Sequence, residues 1–236
     1  MLLEMTAVSI LGGFLCLDRT CLQIMVSRPV VVAPLLGWVL GDVLTGLTIG
    51  AFLELLWVDK QQVDKQQIGI YVPPNDSLLA IVIVTALLLA FPQLTERRQE
   101  LTAFAFLALL PMSYLTKRMD TALIQANEAL SDNALRAASS GDIETIGREH
   151  RRAIYRTLTS YVIFLFLASG VGILTLRAIF PVLPENILQA LRLMHGIIPL
   201  VLIAVCLNSI NFRRLVPLFC AVVLTTMIII ELVNGF

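Results

Sequence analysis

Between Ser77 and Thr95 the chain has no charged side chain, and between Leu101 and Thr116 again none. From Val30 to Trp57 only Asp42 and Glu54 interrupt an apolar run, and Leu215–Ile230 (LVPLFCAVVLTTMIII) has no polar face. A helix in water keeps one face polar. Runs that lack such a face are read as membrane-embedded segments. Composition agrees: only 14% of the 236 residues are charged, against about 25% in an ordinary soluble domain. The expected fold class is all-α: a polytopic membrane protein with broken or re-entrant helices and a cytoplasmic amphipathic arm. The bland alternative is one large soluble core, which the missing polar faces disfavour.

The apolar segments fall at roughly 5–17, 29–57, 78–94, 101–115, 158–183, 187–209 and 215–233. Several are shorter than the ~20 residues that a full span needs. The segment 29–57 is too long for one simple span and is broken by GDVLTG at 41–46. Short and interrupted segments are the sequence form of discontinuous helices, which line protected sites in transporters. Gly37-x-x-x-Gly41 and Gly46-x-x-x-Gly50 flank the break, and each is expected to let another backbone come close. Asp42, next to the break, is placed to cap the half-helix that begins near Thr45.

Residues 116–157 form the one long polar stretch. Met119, Leu123, Ala126 and Leu130 share a helical face, and a second run follows through Ile143, Ile146, Ile154 and Leu158. SSGD (139–142) separates the two, with Ser139 and Asp142 fitting an S-x-x-D cap. The expectation is an amphipathic helical hairpin. Three regions follow: a core membrane region at 1–115 with the broken helices, the arm at 116–157, and C-terminal transmembrane helices at 158–236. The arm has seven Lys/Arg, which places it in the cytoplasm. Arg213 and Arg214 then also fall inside, while Arg97 and Arg98 fall outside.

Net charge is zero, which gives no hint of nucleic acid. Cys16, Cys21, Cys206 and Cys220 show no CxxC spacing and are read as small hydrophobes, with no disulfide or metal expected. MLLEMTAVSILGGFL lacks a basic leader region, so a retained first segment is expected. No P-loop, GxGxxG, HExxH or Ser-His-Asp order appears, and no cofactor is expected. Of the two histidines, His195 is read as a packing residue and His150 as solvated.

Glu54 lies among apolar neighbours in GAFLELLW. An acid near the bilayer centre costs at least about 2.5–3.5 kcal/mol and normally faces a protein interior or cavity. It is read either as a hydrogen-bond acceptor for a polar substrate or as a structural partner for Arg28 or a helix end. LDRTCLQIMVSRP (17–29) supplies Asp18 and Gln23, and VPPNDS (72–77) supplies Asn75 and Asp76. The latter element is also simply a helix cap. Carboxylates and amides suit a ligand with many hydroxyls, because together they accept and donate several hydrogen bonds.

The stretch SRPVVVAPLLGWVLGDVLTGLTIGAFLELLW, followed by IGIYVPPND, resembles enzyme IIC. This is the membrane subunit of the mannose/sorbose class of the bacterial sugar phosphotransferase system. Arg28, Pro29, Gly37, Gly41, Asp42, Thr45, Gly46, Gly50 and Glu54 fill the family pattern, and Pro73, Pro74, Asn75 and Asp76 complete it. The match covers about 60 residues. The pentapeptide VDKQQ occurs twice in succession, at 58–62 and 63–67. Deleting one copy restores the family's spacing, so the repeat reads as a small tandem duplication in a water-exposed linker.

The resemblance implies a multi-pass protein of the bacterial cytoplasmic (inner) membrane. It implies a IID membrane subunit as partner, and IIA and IIB phosphocarriers that supply phosphate to a hexose entering the cell. It implies a multi-subunit, oligomeric assembly in the lipid bilayer too. On the family pattern Asp18, Gln23, Glu54, Asn75 and Asp76 would bind the sugar, and the chain itself would carry no phosphohistidine. A different expectation is a non-transporting membrane scaffold or sensor that keeps this fold and docks soluble phosphotransferase components.

Overall fold

The structure is a computed structural model. It describes residues 1–18, 21, 24–63, 76–92 and 97–209, with isolated helical positions at 217, 219–220 and 223–224; side chains are described at all of these except 57–63, 76 and 208–209. Every regular element among the described residues is helical. In chain order the α-helices are α1 (Leu2–Leu17), α2 (Pro29–Leu40), α3 (Val43–Val63), α4 (Asp76–Ala90), α5 (Arg98–Leu109), α6 (Ser113–Ser140), α7 (Ile143–Ile179) and α8 (Glu185–Ser209), with single 3-10 turns at Leu110–Met112 and Phe180–Val182. Of the duplicated pentapeptide, the backbone of the first copy continues α3; beyond Val63 the second copy lies outside the described residues.

α4 is the centre of the molecule. Its described side chains are all buried, with Leu78, Ala80, Ile81, Val82, Ile83, Val84, Ala86 and Leu87 fully enclosed. A helix that is apolar all round is stable only when it is surrounded, and α1, α2, α3 and α7 pack around this one. Its last carbonyls, which have no partner inside the helix, are taken up by a cation: Arg177 donates from Nε to the Ala90 oxygen (3.1 Å) and from Nη2 to that of Leu89 (2.9 Å). Phe180 closes this end, its ring centroid 5.5 Å from that of Phe91 and 5.7 Å from that of Phe104.

α7 and α8 are long and apolar enough to cross a membrane. On α7, Ile163, Leu167, Val171 and Leu174 form an exposed stripe at helical spacing, and Leu193, Ile197 and Val201 do the same on α8. Such a stripe suits acyl chains as its solvent. The shorter apolar helices are α1, α2, the first part of α3 and α4.

α2 and α3 form a hairpin so close that backbone touches backbone. A methyl at Gly37 would sit 2.5 Å from the Asp42 carbonyl oxygen, one at Gly50 would sit 2.5 Å from that of Pro29, and one at Gly46 would overlap Ala33. Gly41 has a different role from the one expected of a GxxxG member. It is the left-handed turn residue (φ 93°), with open space around it. The Asp42 N–H bonds to the Gly37 oxygen (2.7 Å), closing a Schellman turn. Asp42 then caps α3 as expected: its carboxylate accepts the Thr45 N–H (3.2 Å) and hydroxyl (2.8 Å).

α6 and the first part of α7 form a second, antiparallel hairpin. The positions of α6 turned inward are Thr116, Asp120, Leu123, Asn127, Leu130, Ala134 and Ala137. Their 4-3-4-3 spacing is that of a coiled-coil seam. The expected face is thus only half right. Leu123 and Leu130 are in the seam, whereas Met119 is half-buried and Ala126 exposed. The seam contains polar pairs that a hydrophobic pattern passes over: Tyr161 donates to Asp120 (3.3 Å), and the Asn127 amide donates to Thr157 (3.2 Å). The cap of α7 is Asp142, which accepts from the Thr145 N–H (3.0 Å) and hydroxyl (2.6 Å). Ser139 instead bonds back to Arg136 within α6. α7 runs unbroken through residues 157 and 158.

Candidate functional site

The segment from Ile24 to Arg28 links α1 to α2, and side chains from two separate places hold it. Asp18, just past α1 and buried, accepts the N–H of Ile24 on one carboxylate oxygen (2.9 Å) and that of Ser27 on the other (3.2 Å). Ser77, in the first turn of α4, donates its hydroxyl to the Ser27 carbonyl. Met25 takes a left-handed backbone (φ 68°), which is uncommon for a residue with a side chain and lets the segment fold back. Arg28 then sits in extended conformation at the N-cap of α2, with Pro29 as the first helical residue, where a missing N–H costs nothing.

From that position Arg28 reaches across the hairpin base. Its Nη1 donates to Glu54 Oε1 at 3.1 Å. The Glu54 side chain is 17% exposed and that of Arg28 45%. The second carboxylate oxygen of Glu54, Oε2, is shielded and has no hydrogen-bond partner among the described residues. A buried acceptor left unmade costs about 1–3 kcal/mol. The half-exposed cation and the unsatisfied oxygen lie side by side, so the pair can donate to a hydroxylated ligand and accept from it.

Two of the five residues expected to bind sugar therefore lie about one segment: Glu54 through Arg28, and Asp18 through the backbone of Ile24 and Ser27. Asp18 spends both oxygens on that backbone. Gln23 and Asn75 lie outside the described residues, as does the side chain of Asp76, whose backbone begins α4. Arg28 was legible only as one possible partner of Glu54, because which loop arginine meets which helix acid depends on a contact 26 residues apart.

A second set of charges binds the tip of this hairpin to α5 and α8. Arg98 pairs with Asp42 (3.1 Å), Arg97 with Glu185 (3.6 Å), and Arg192 donates from Nε (2.8 Å) and Nη2 to Glu100. Glu100 is buried. Sequence patterning gave no signal for this, since Glu100 precedes its apolar run and its partner lies 92 residues away. His195 packs against the ring of Phe52 at 6.0 Å, and His150 is exposed; both fit the roles read for them.

The family model for the PTS system sorbose-specific IIC component matches residues 2–234. The mannose-specific EIIC component of Escherichia coli strain K12 is 26% identical over 196 residues, which cover 81% of this chain and 68% of that protein. The Shigella flexneri protein of the same description matches to the same extent. A solved structure described as a membrane protein superposes with a TM-score of 0.65 at 19% identity, covering 99% of this chain and 91% of the other. The cryo-electron microscopy structure of the mannose transporter ManYZ with microcin E492 superposes with a TM-score of 0.58 at 21% identity, covering 96% and 87%. At these identities the two structures speak for the shared all-helical membrane fold. With the family model spanning almost every residue, the chain belongs to the sorbose-specific IIC component family of the phosphotransferase system.

Proposed function

We propose that the chain is the sugar-translocating membrane subunit of a mannose/sorbose-class phosphotransferase complex, and that it binds a hexose at the Arg28–Glu54 pair. The observation that carries this is the unpartnered Glu54 Oε2 beside a half-exposed guanidinium. A sugar hydroxyl donating to Oε2 would satisfy the shielded acceptor, while the free N–H groups of Arg28 would donate to a neighbouring hydroxyl oxygen. Asp18 would act as a positioning residue, holding the segment that presents Arg28. Gln23, Asn75 and Asp76 complete the proposed site on the family pattern.

The working protein is proposed to sit in the bacterial inner membrane beside a IID subunit in an oligomeric assembly. The arm would face the cytoplasm, where the IIA and IIB carriers phosphorylate the incoming sugar. The proposed division is a site-bearing core at 1–115, the arm at 116–157 and C-terminal membrane helices at 158–236.

The test is hexose uptake and phosphorylation in cells that depend on this chain, with membrane abundance measured alongside. Losing one charge-assisted hydrogen bond costs about 1.5–3 kcal/mol. Glu54→Gln and Arg28→Gln should therefore each lower uptake by about tenfold or more at unchanged abundance. Unchanged uptake in Glu54→Gln would remove this site. If uptake of every hexose were the same with and without the chain, the scaffold or sensor reading would stand instead.

A further inference from the structure

The second hairpin has a groove along the flank of its seam, with the seam residue Leu123 in its wall. Met119 and Ala126 of α6, with Ile163, Phe164 and Leu167 of α7, line a concavity of about 440 Å³ that has Arg156 at one end. That volume is within the ~300–1,000 Å³ of ordinary ligand sites. The groove spans the point where α7 changes character. Arg148, Arg151, Arg152 and Arg156 precede it, and the uncharged run from Leu158 to Leu176 follows. In a membrane protein this is the level of the lipid phosphates, with acyl chains beyond it.

Arg156 is held ready rather than neutralised. One guanidinium nitrogen donates to the Ala126 carbonyl of α6, which leaves most of its five N–H donors for another acceptor. No acid lies within ion-pair distance of it among the described residues. Glu128, the acid of α6 nearest in register, is exposed to solvent, and Asp120 is turned into the seam toward Tyr161. Across α6 a second concavity of about 400 Å³ is lined by Lys117 and Arg118, so both flanks of the helix are positive. An apolar trough that ends in an unneutralised guanidinium complements an amphiphile with an anionic head.

We propose that the α6–α7 groove binds an anionic phospholipid, with an acyl chain along Ile163, Phe164 and Leu167 and the phosphate on Arg156. A planar guanidinium recognises a phosphate through paired N–H bonds. The lipid would brace the hairpin at the point where it leaves the membrane.

The experiment is native mass spectrometry of the full-length chain in detergent, titrated with phosphatidylglycerol or phosphatidylcholine. Phosphatidylglycerol should bind about tenfold tighter, the equivalent of one charge-assisted contact. Arg156→Gln should abolish that preference and Arg156→Lys retain part of it. Ala126→Phe, which fills the groove from an exposed position, should weaken both lipids. Equal binding of the two lipids by the unaltered chain, or an undiminished preference in Arg156→Gln, would overturn the proposal. So would displacement of phosphatidylglycerol by inorganic phosphate at equal concentration, which would mark an adventitious anion site. A photo-crosslinker at Ile163 in the membrane-embedded protein should label lipid; labelling of a polypeptide would mean that a protein covers the groove, and the proposal would fall. Should Arg156→Gln not give a monodisperse chain, Ala126→Phe decides: lipid binding unchanged by it overturns the proposal.

Discussion

The chain makes the same turn twice. Gly41-Asp42-x-x-Thr45 and Gly141-Asp142-x-x-Thr145 each place a left-handed glycine after one helix (φ 93° and 72°) and an aspartate cap on the next. In both, the aspartate N–H closes back to a carbonyl five residues earlier, Gly37 in one case and Ala137 in the other. Yet the two hairpins are held together differently. The first is zipped by glycines whose backbone meets the opposite backbone, at Gly37, Gly46 and Gly50. The second is spaced by side chains, with Leu123 and Leu130 interleaved among polar pairs. Turn chemistry is local and does not depend on surroundings. What closes a hairpin does: glycine packing brings helices close where water gives no drive for apolar contact, and a leucine seam uses that drive where water is present.

That contrast can be broken most sharply at Gly46. Gly46→Val forces side-chain atoms into Ala33, with no flexible neighbour to yield. A loss of about 3 kcal/mol is expected, seen as collapse of the monodisperse peak in size-exclusion chromatography. A comparable change in the second hairpin should act locally. Leu123→Ala, at a position 8% exposed, is expected to cost about 2 kcal/mol. Hydrogen exchange should rise in α6 and in α7 before residue 158 while α4 stays protected; a rise spread evenly over α4 would refute the separation of the two hairpins.

Smaller effects test the likeness of the turns. Gly41→Ala and Gly141→Ala should each cost about 1–2 kcal/mol, the strain of a left-handed alanine, because neither glycine has a neighbour for the new methyl to strike. Unequal losses in thermal unfolding would show that one turn has a further role. The smallest effect is acid dependence. The Thr145 hydroxyl and N–H bonds, with Arg148 nearby, hold the Asp142 carboxyl below the usual carboxylate range. Its contribution is therefore present above the unfolded value near 3.8 and fades as pH falls through the lower folded value. The arm should loosen below about pH 4, and Asp142→Asn should flatten that dependence in a circular-dichroism titration.

Much of this was legible from residue types. The break at 41–46, the Asp42 cap and the exceptional acid at Glu54 follow from local chemistry that a short window contains. The seam of the arm was read one step aside, since Asp120 and Asn127 hide its period from a search for apolar residues. Glu100 gave no sign, because the burial of a carboxylate beside an apolar run becomes tolerable only when Arg192 arrives from another helix. Asp18 was the right kind of residue, but its engagement with the backbone of Ile24 and Ser27 needs the loop's path.

The sequence by itself determined a helical membrane chain with two glycine-aspartate turns, because hydrophobic run length and turn stereochemistry depend only on neighbours along the chain. Only the tertiary structure decided that Arg28 meets Glu54 on one oxygen and leaves the shielded other one unpartnered among the described residues, that α4 is the enclosed helix, and that Arg156 ends a groove. Those outcomes rest on contacts between segments far apart in the chain, which form only once the helices have packed.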